Sequence, residues 1–245
     1  MIIRSDRRIR VADALPEIVE HLDPEQRRLA RRLLVADLLT VKRGSWVPPP
    51  APGAEPGNLG LLVLDGLLTR DVILEKPLAT ELVGRGDLLR PADRDGQDAP
   101  IPFDIAWNVL QPARVAVLDI EFARALGRWP SATEAIMRGG VNRAHSLAIT
   151  LAVSHLRRVD TRLLVIMWYL ADRWGRVRPD GVVVALKLTH ETLARLVGAQ
   201  RPSVTTALRQ LSEDGLLQRT TDRAWLLTGD PPTSLTRTGE PAHSS

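Results

Sequence analysis

The residues with the most chemical content lie between Leu188 and Thr228, LTHETLARLVGAQRPSVTTALRQLSEDGLLQRTTDRAWLLT. Within it, Val204, Ala207, Leu208 and Leu211 recur at helical spacing. That stripe turns Arg201, Ser203, Thr205, Thr206, Arg209 and Gln210 outward. Arginine presents a fork that matches the acceptor edge of guanine, and hydroxyls bond phosphates and base edges. A helix beginning with such a set is equipped to enter the major groove of DNA. The same surface could dock on a protein, and that is the alternative reading.

Several elements must hold that helix. Thr189 is placed to N-cap a preceding short helix whose apolar positions are Leu193, Leu196 and Val197. Gly198-Ala199-Gln200 makes the turn, with glycine supplying the positive φ that a tight helix–helix turn demands. Pro202 falls in the first turn of the second helix, where its missing N–H costs nothing. Leu216–Arg219 and Ala224–Leu227 read as two strands, with Thr220-Thr221-Asp222-Arg223 as the tip between them. This is the pattern of a winged helix-turn-helix.

Charge agrees with it. Residues 157–228 carry 12 basic and 7 acidic side chains, whereas residues 1–156 balance at 20 of each. The whole excess of positive charge therefore lies around the helix-turn-helix, as suits a polyanionic partner. The chain has no cysteine, which excludes disulfides and cysteine-ligated clusters. Its five histidines show no zinc-binding spacing, and none lies between His21 and His145. No metal site, cofactor or enzymatic activity is expected. No long apolar run spans a membrane, and the charged N-terminus does not resemble a signal peptide, so a cytoplasmic protein is expected.

The front of the chain reads in three blocks. Residues 11–45 look helical, with Asp23-Pro24-Glu25-Gln26 as a helix start, Leu29, Leu33 and Leu34 as its apolar stripe, and a short strand at Asp37–Lys42. Trp46–Gly57 is proline-rich and is read as a connector. Residues 59–125 look β-rich, with strands at Leu59–Leu64, Leu67–Leu74, Glu81–Val83, Asp104–Leu110 and Arg114–Ile120. Turns are expected at Asp65-Gly66 and Gly84–Asp87, and an acidic loop at 90–102. Strands at this spacing suggest a small barrel, jelly roll or sandwich. From Ser131, read as an N-cap paired with Glu134, a long helix follows. Met137, Val141, Ala144, Ala148 and Leu151 form a heptad-like seam on it, suited to pairing with another helix, and Gly139-Gly140 is a point of bending. A further helix is expected from Asp160 to Trp174, with Leu163, Leu164, Met167 and Leu170 on its apolar side, then a polar turn at 175–181 and a strand at Val182–Leu188.

Over about Val159–Leu227 the sequence resembles the CRP/FNR transcription regulators, the group of the cyclic-AMP receptor protein. The segments LTHETLARLVGAQRPSVTTALRQL and EDGLL carry the likeness without gaps. The order of β-rich block, long helix and winged helix is similar as well. The resemblance implies an α+β chain: an N-terminal cyclic-nucleotide-binding-like β-roll (1–129), a dimerisation helix (130–157), a winged helix-turn-helix (158–228) and a disordered tail (229–245). It implies a homodimer that binds double-stranded DNA, with RNA polymerase as a further candidate partner. Position by position, it places Arg201 on a base-reading arginine and Ser203 on a phosphate contact. It sets Thr189, His190, Gln200 and Arg209 close to the DNA backbone. Pro202 and Thr206 stand where many members have a base-reading Glu and a second Arg, so the target sequence is expected to differ. With Thr205 and the wing-tip Thr221 and Arg223, these are the candidate DNA-binding residues; Met137, Val141, Ala144, Ala148 and Leu151 are the candidate dimer contacts.

Cyclic-nucleotide-binding members share a Gly-Glu pair followed about ten residues later by Arg-Ser/Thr-Ala, which neutralises the cyclic phosphate. Here the nearest match is Gly86-Asp87-Leu88-Leu89, and the second slot falls near Phe103-Asp104-Ile105. An apolar ring and carboxylates do not offset buried phosphate charge. Control by a cyclic nucleotide is not expected, although Arg90, Arg94 or Arg114 could supply a substitute cation. A different small molecule in the roll stays open as an effector.

Overall fold

A computed structural model describes residues 2–49, 56–74, 77–90 and 103–232. Half of the proline-rich connector, the acidic loop beyond residue 90 and most of the tail lie outside these residues. The chain divides into two units, residues 1–148 and 149–245.

The first unit is built on an antiparallel sheet of seven described strands: β1 (Ile2–Arg10), β2 (Val35–Val41), β3 (Gly44–Trp46), β4 (Gly60–Ile73), β5 (Pro77–Gly84), β6 (Leu88–Leu89) and β7 (Asp104–Leu118). They pair in the order β1-β2-β7-β4-β5, with β3 on β7 and β6 on β4. Side chains alternate between faces along a strand, and here both faces are covered. In β4, Leu61 and Val63 point into the roll with Val83, Leu89, Val109 and Val115. Leu62 and Leu64 point the other way, into a second core with Ala116, Leu118, Phe122 and Ile136. That double burial is why Leu61–Leu64 is an unbroken apolar run. Trp46 and Trp107 fill the roll edge to face, with centroids 5.9 Å apart.

Several expectations need correction. Residues 11–45 are only partly helical: α1 (Val11–Ala14), a short 3-10 turn at Pro16–Val19 and α2 (Pro24–Leu33), after which β2 begins at Val35. The start of α2 is as expected, since the Asp23 carboxylate accepts from Gln26 N–H at 2.8 Å. Its apolar stripe is so only in part: Leu34 is buried as expected, but Leu29 and Leu33 are 46% and 37% exposed and Ala30 is buried in their place. Asp65-Gly66 is no turn. β4 runs through it as a bulge, with Gly66 at φ +97°, and a Cβ there would lie 2.5 Å from Ala113 Cα. β7 likewise continues across Pro112, because the register slips there and a bulge tolerates proline. The turn at Gly84–Asp87 forms as read, and the buried Asp87 carboxylate accepts from Gly84 N–H at 2.8 Å.

Two helices follow β7: α3 (Ile120–Leu126), capped by the Asp119 carboxylate, and α4 (Pro130–Ser154). α4 starts one residue before Ser131, and Glu134 does not complete a capping box. It accepts instead from Arg138, one turn on, at 2.6 and 2.8 Å. Gly139-Gly140 does not interrupt the helix. Gly139 is the closest approach to the turn below it: a Cβ there would lie 2.2 Å from Gly86 O, while nothing comes within 4 Å of one at Gly140.

The second unit contains α5 (Val159–Trp174), α6 (His190–Leu196) and α7 (Arg201–Glu213). With them is a four-stranded sheet of β8 (Gly175–Arg178), β9 (Gly181–Val184), β10 (Leu217–Arg219) and β11 (Trp225–Leu227), ordered β10-β11-β9-β8. α5 buries Leu163, Ile166, Met167 and Leu170; Leu164 is only half-buried. The expected polar turn at 175–181 is a β-hairpin, and its second strand pairs with the wing. The expected strand to Leu188 stops at Val184, where the ladder pairing ends; Leu186 and Leu188 stay buried beyond it, and the Leu188 N–H bonds back to the Leu186 carbonyl at 2.9 Å.

Candidate nucleic-acid interface

α6 begins where its cap was read: Thr189 Oγ1 accepts from Thr192 N–H at 3.1 Å. The helix buries Leu193, Ala194 and Leu196, and Gly198 turns the chain at φ +59°. α7 then runs for 13 residues with Pro202 in its first turn. Val204, Ala207, Leu208 and Leu211 are its buried stripe, as their spacing predicts. Arg201, Pro202, Ser203, Thr205, Thr206, Arg209 and Gln210 are all exposed, and so is Gln200 before them.

Not every exposed group is equally available. Gln210 donates to the Asp214 carboxylate at 3.0 Å, and Arg209 has Glu213 at 3.8 Å. Thr205 Oγ1 donates to the Arg201 carbonyl at 3.0 Å and lies 3.0 Å from His190 Nδ1. His190, half-buried, is thereby fastened to α7. Burial holds its imidazole below the ordinary range, and the charges of Arg219 and Arg201 push the same way. The wing forms from β10 and β11, with Thr220 Oγ1 bonded to Asp222 and to the Ala224 carbonyl. Thr221 and Arg223 stand exposed at the tip, Arg223 at φ +65°.

Two residues that sequence reading did not single out shape this surface. Arg219 donates to the Leu188 carbonyl at 3.1 Å and lies over the Trp225 ring, 4.6 Å from its centroid. It adds a fixed cation beside His190, and only its alternation with the buried Leu217 hinted at this. Arg162 of α5 donates to the carbonyls of Val197 and Gly198 at 3.2 and 3.1 Å and to that of Leu156 at 2.5 Å. It closes the C-terminal end of α6, where carbonyls lack helical partners. An arginine bonding carbonyls 35 residues on leaves no pattern in a sequence.

Two helices joined by a glycine turn, with an exposed polar face and a two-stranded wing, define a winged helix-turn-helix. Residues 161–231 match the model of the Crp-like helix-turn-helix domain. The chain is 28% identical over 107 residues to the global nitrogen regulator of Synechococcus elongatus and 27% over 97 residues to that of Synechocystis. These matches cover 43% and 40% of this chain and 48% and 43% of the relatives, so the chain spans about half the length of the curated relatives it matches. Among solved structures, a cyclic nucleotide-binding domain containing protein from Listeria monocytogenes aligns over 89% of this chain and 97% of its own, at TM-score 0.63 and 13% identity. A CooA mutant from Carboxydothermus hydrogenoformans aligns over 79% and 84%, at 0.59 and 18%. A CRP-family transcriptional regulator from Thermus thermophilus aligns over 77% and 91%, at 0.53 and 20%. The chain carries a Crp-like helix-turn-helix, and its resemblance to the CRP/FNR regulators is borne out. The α+β fold is that of a β-roll resembling cyclic-nucleotide-binding domains, a long helix and a winged helix-turn-helix.

Proposed function

We propose that this chain is a dimeric, sequence-specific DNA-binding transcription regulator of CRP/FNR type that does not answer to a cyclic nucleotide. The observation that carries the reading is the exposed row Arg201, Ser203, Thr205 and Thr206 on a helix whose opposite face is wholly buried. In this reading Arg201 and Thr206 face base edges. Thr189, His190, Gln200, Ser203 and Arg209 lie along the phosphates, Pro202 and Thr205 at the helix entry, and the wing tip Thr221 and Arg223 on the adjoining backbone. The Crp-like domain match and the likeness to global nitrogen regulators support a regulator. The 1–129, 130–157 and 158–228 segments serve as sensor-like roll, pairing helix and reading head. RNA polymerase is a further partner in this reading, and the cytoplasm is its place of work. No helix among the described residues is long and apolar enough to cross a membrane.

Pairing is supported by exposure. Met137, Val141 and Leu151 are 38%, 67% and 63% exposed, and Ala144 and Ala148 are exposed with them. Large aliphatic side chains left to water at heptad spacing gain by covering one another.

The absence of cyclic-nucleotide control rests on the roll. Asp87, where binding members have their Glu, folds back onto its own turn through Gly84 N–H. Arg114, a candidate substitute cation, is held by Asp65, whose carboxylate accepts its Nε at 2.5 Å. Around the second slot, Asp104 is exposed and Phe103 and Ile105 are half-buried. The roll interior is filled by aliphatic side chains and two tryptophans.

Affinity for a mixed-sequence duplex, measured at two salt concentrations, tests the reading. Phosphate contacts release counterions, so affinity should fall steeply with salt. A protein-docking module would show no such affinity.

A further inference from the structure

Thr205 has one hydroxyl proton, and the Arg201 carbonyl at 3.0 Å accepts it. Towards His190 the same oxygen can therefore only accept. With that proton on the carbonyl, Thr205 accepts from Nδ1–H across the 3.0 Å contact, and in this tautomer of the neutral ring Nε2 is bare. A bare nitrogen cannot donate to a phosphate, whereas a protonated one can, with a charge behind it. Other groups bear on the ring from each neighbouring element. Arg201 acts from α7, Arg219 from β10, and Arg223 at the wing tip acts in turn on Arg219. On its own helix, Glu191 is its neighbour and accepts from Arg195 at 3.3 Å. Lys187 precedes it, exposed. Burial of the ring is the larger influence and the charges of Arg219 and Arg201 add to it, so in the free protein all three favour the neutral imidazole.

We infer that His190 takes up a proton when this surface meets DNA, so that protonated Nε2 bonds a backbone phosphate and affinity rises as pH falls. The inference rests on the DNA-binding reading and deepens it. A phosphate reverses the local electrostatics. It offsets the field of Arg201 and Arg219 and gives Nε2–H a charged acceptor, and both raise the imidazole from its depressed position. The sign follows from linkage: the bound state holds more protons than the free one, so lowering pH favours binding.

The test uses the full chain and a fluorescent mixed-sequence duplex at low, constant ionic strength, since phosphate contacts need no particular sequence. Affinity is measured from about pH 8 to pH 6 for wild type, His190→Gln and His190→Arg. Wild-type affinity should rise about threefold to tenfold per protomer more than that of His190→Gln across this range. His190→Arg, charged throughout, should lose the added slope while staying the tighter of the two variants at the high-pH end. Titrating wild type with the duplex in two buffers of different ionisation enthalpy should show proton uptake, reduced in both variants. Salt-dependent affinity with equal pH slopes in wild type and His190→Gln would overturn this inference alone. No salt-dependent affinity in any of the three would overturn the DNA reading and this inference with it.

Discussion

The Arg143 guanidinium grips the Glu81 carboxylate with two prongs, Nε to Oε1 at 2.7 Å and Nη2 to Oε2 at 2.9 Å, while Nη1 donates to the Leu88 carbonyl at 2.9 Å. Glu81 is 4% exposed and Arg143 18%. The pair ties α4 to β5 and β6 within the first unit. Burial works against the Arg143 charge, but the bond and the charge of Glu81 more than compensate and hold it above its ordinary range.

Breaking one side of this pair strands the other charge in the interior. Arg143→Ala should therefore cost about 3–5 kcal/mol in denaturant unfolding, and replacing both residues by leucine should restore much of it. A loss below about 1 kcal/mol for the single change would show the pair to be solvated.

The two glycines of α4 should part company. Gly139→Ala drives a Cβ to 2.2 Å from the Gly86 carbonyl and should lower the melting temperature. Gly140→Ala meets nothing and should stabilise by about 0.5–1 kcal/mol through helix propensity. Melting both at the same protein concentration distinguishes the contact from propensity.

Val141→Arg places a charge at the most exposed of the three large apolar side chains on the heptad seam, Met137, Val141 and Leu151. Sedimentation should show wild type as a dimer and this variant shifted to monomer at equal concentration. A wild type that sediments as a monomer at micromolar concentration contradicts the pairing role.

On the reading helix, Arg201→Ala and Arg209→Ala should fail differently. The first should lose about 1–3 kcal/mol of discrimination at one base position. The second should weaken binding to all sequences alike and shallow the salt slope. Binding to a target and to scrambled duplexes separates the two.

The winged helix-turn-helix was legible because it is local. The cap at Thr189, the turn at Gly198 and the buried stripe of α7 each follow from residues within a turn or two of one another. The roll was less so. Gly66 and Pro112 look like strand ends in sequence but are bulges, and what makes them bulges is a partner strand far along the chain, with Asp65 opposite Arg114 and Leu67 opposite Gln111. Leu29, Leu33 and Leu34 matched a helical stripe, yet tertiary packing buried only Leu34 of the three, and with it Ala30. Arg162 and Arg219 act through backbone carbonyls of distant residues, which no spacing rule encodes.

The measurement that bears most directly on the central claim is a selection of duplexes from a random pool by the full chain. Two copies of α7 presented by a dimer should enrich a two-fold symmetric motif, with half-sites about one helical turn, roughly 10 base pairs, apart. Its half-site should change at one position when Arg201 is replaced by alanine. A pool that stays random, or a motif without two-fold symmetry, would contradict the account.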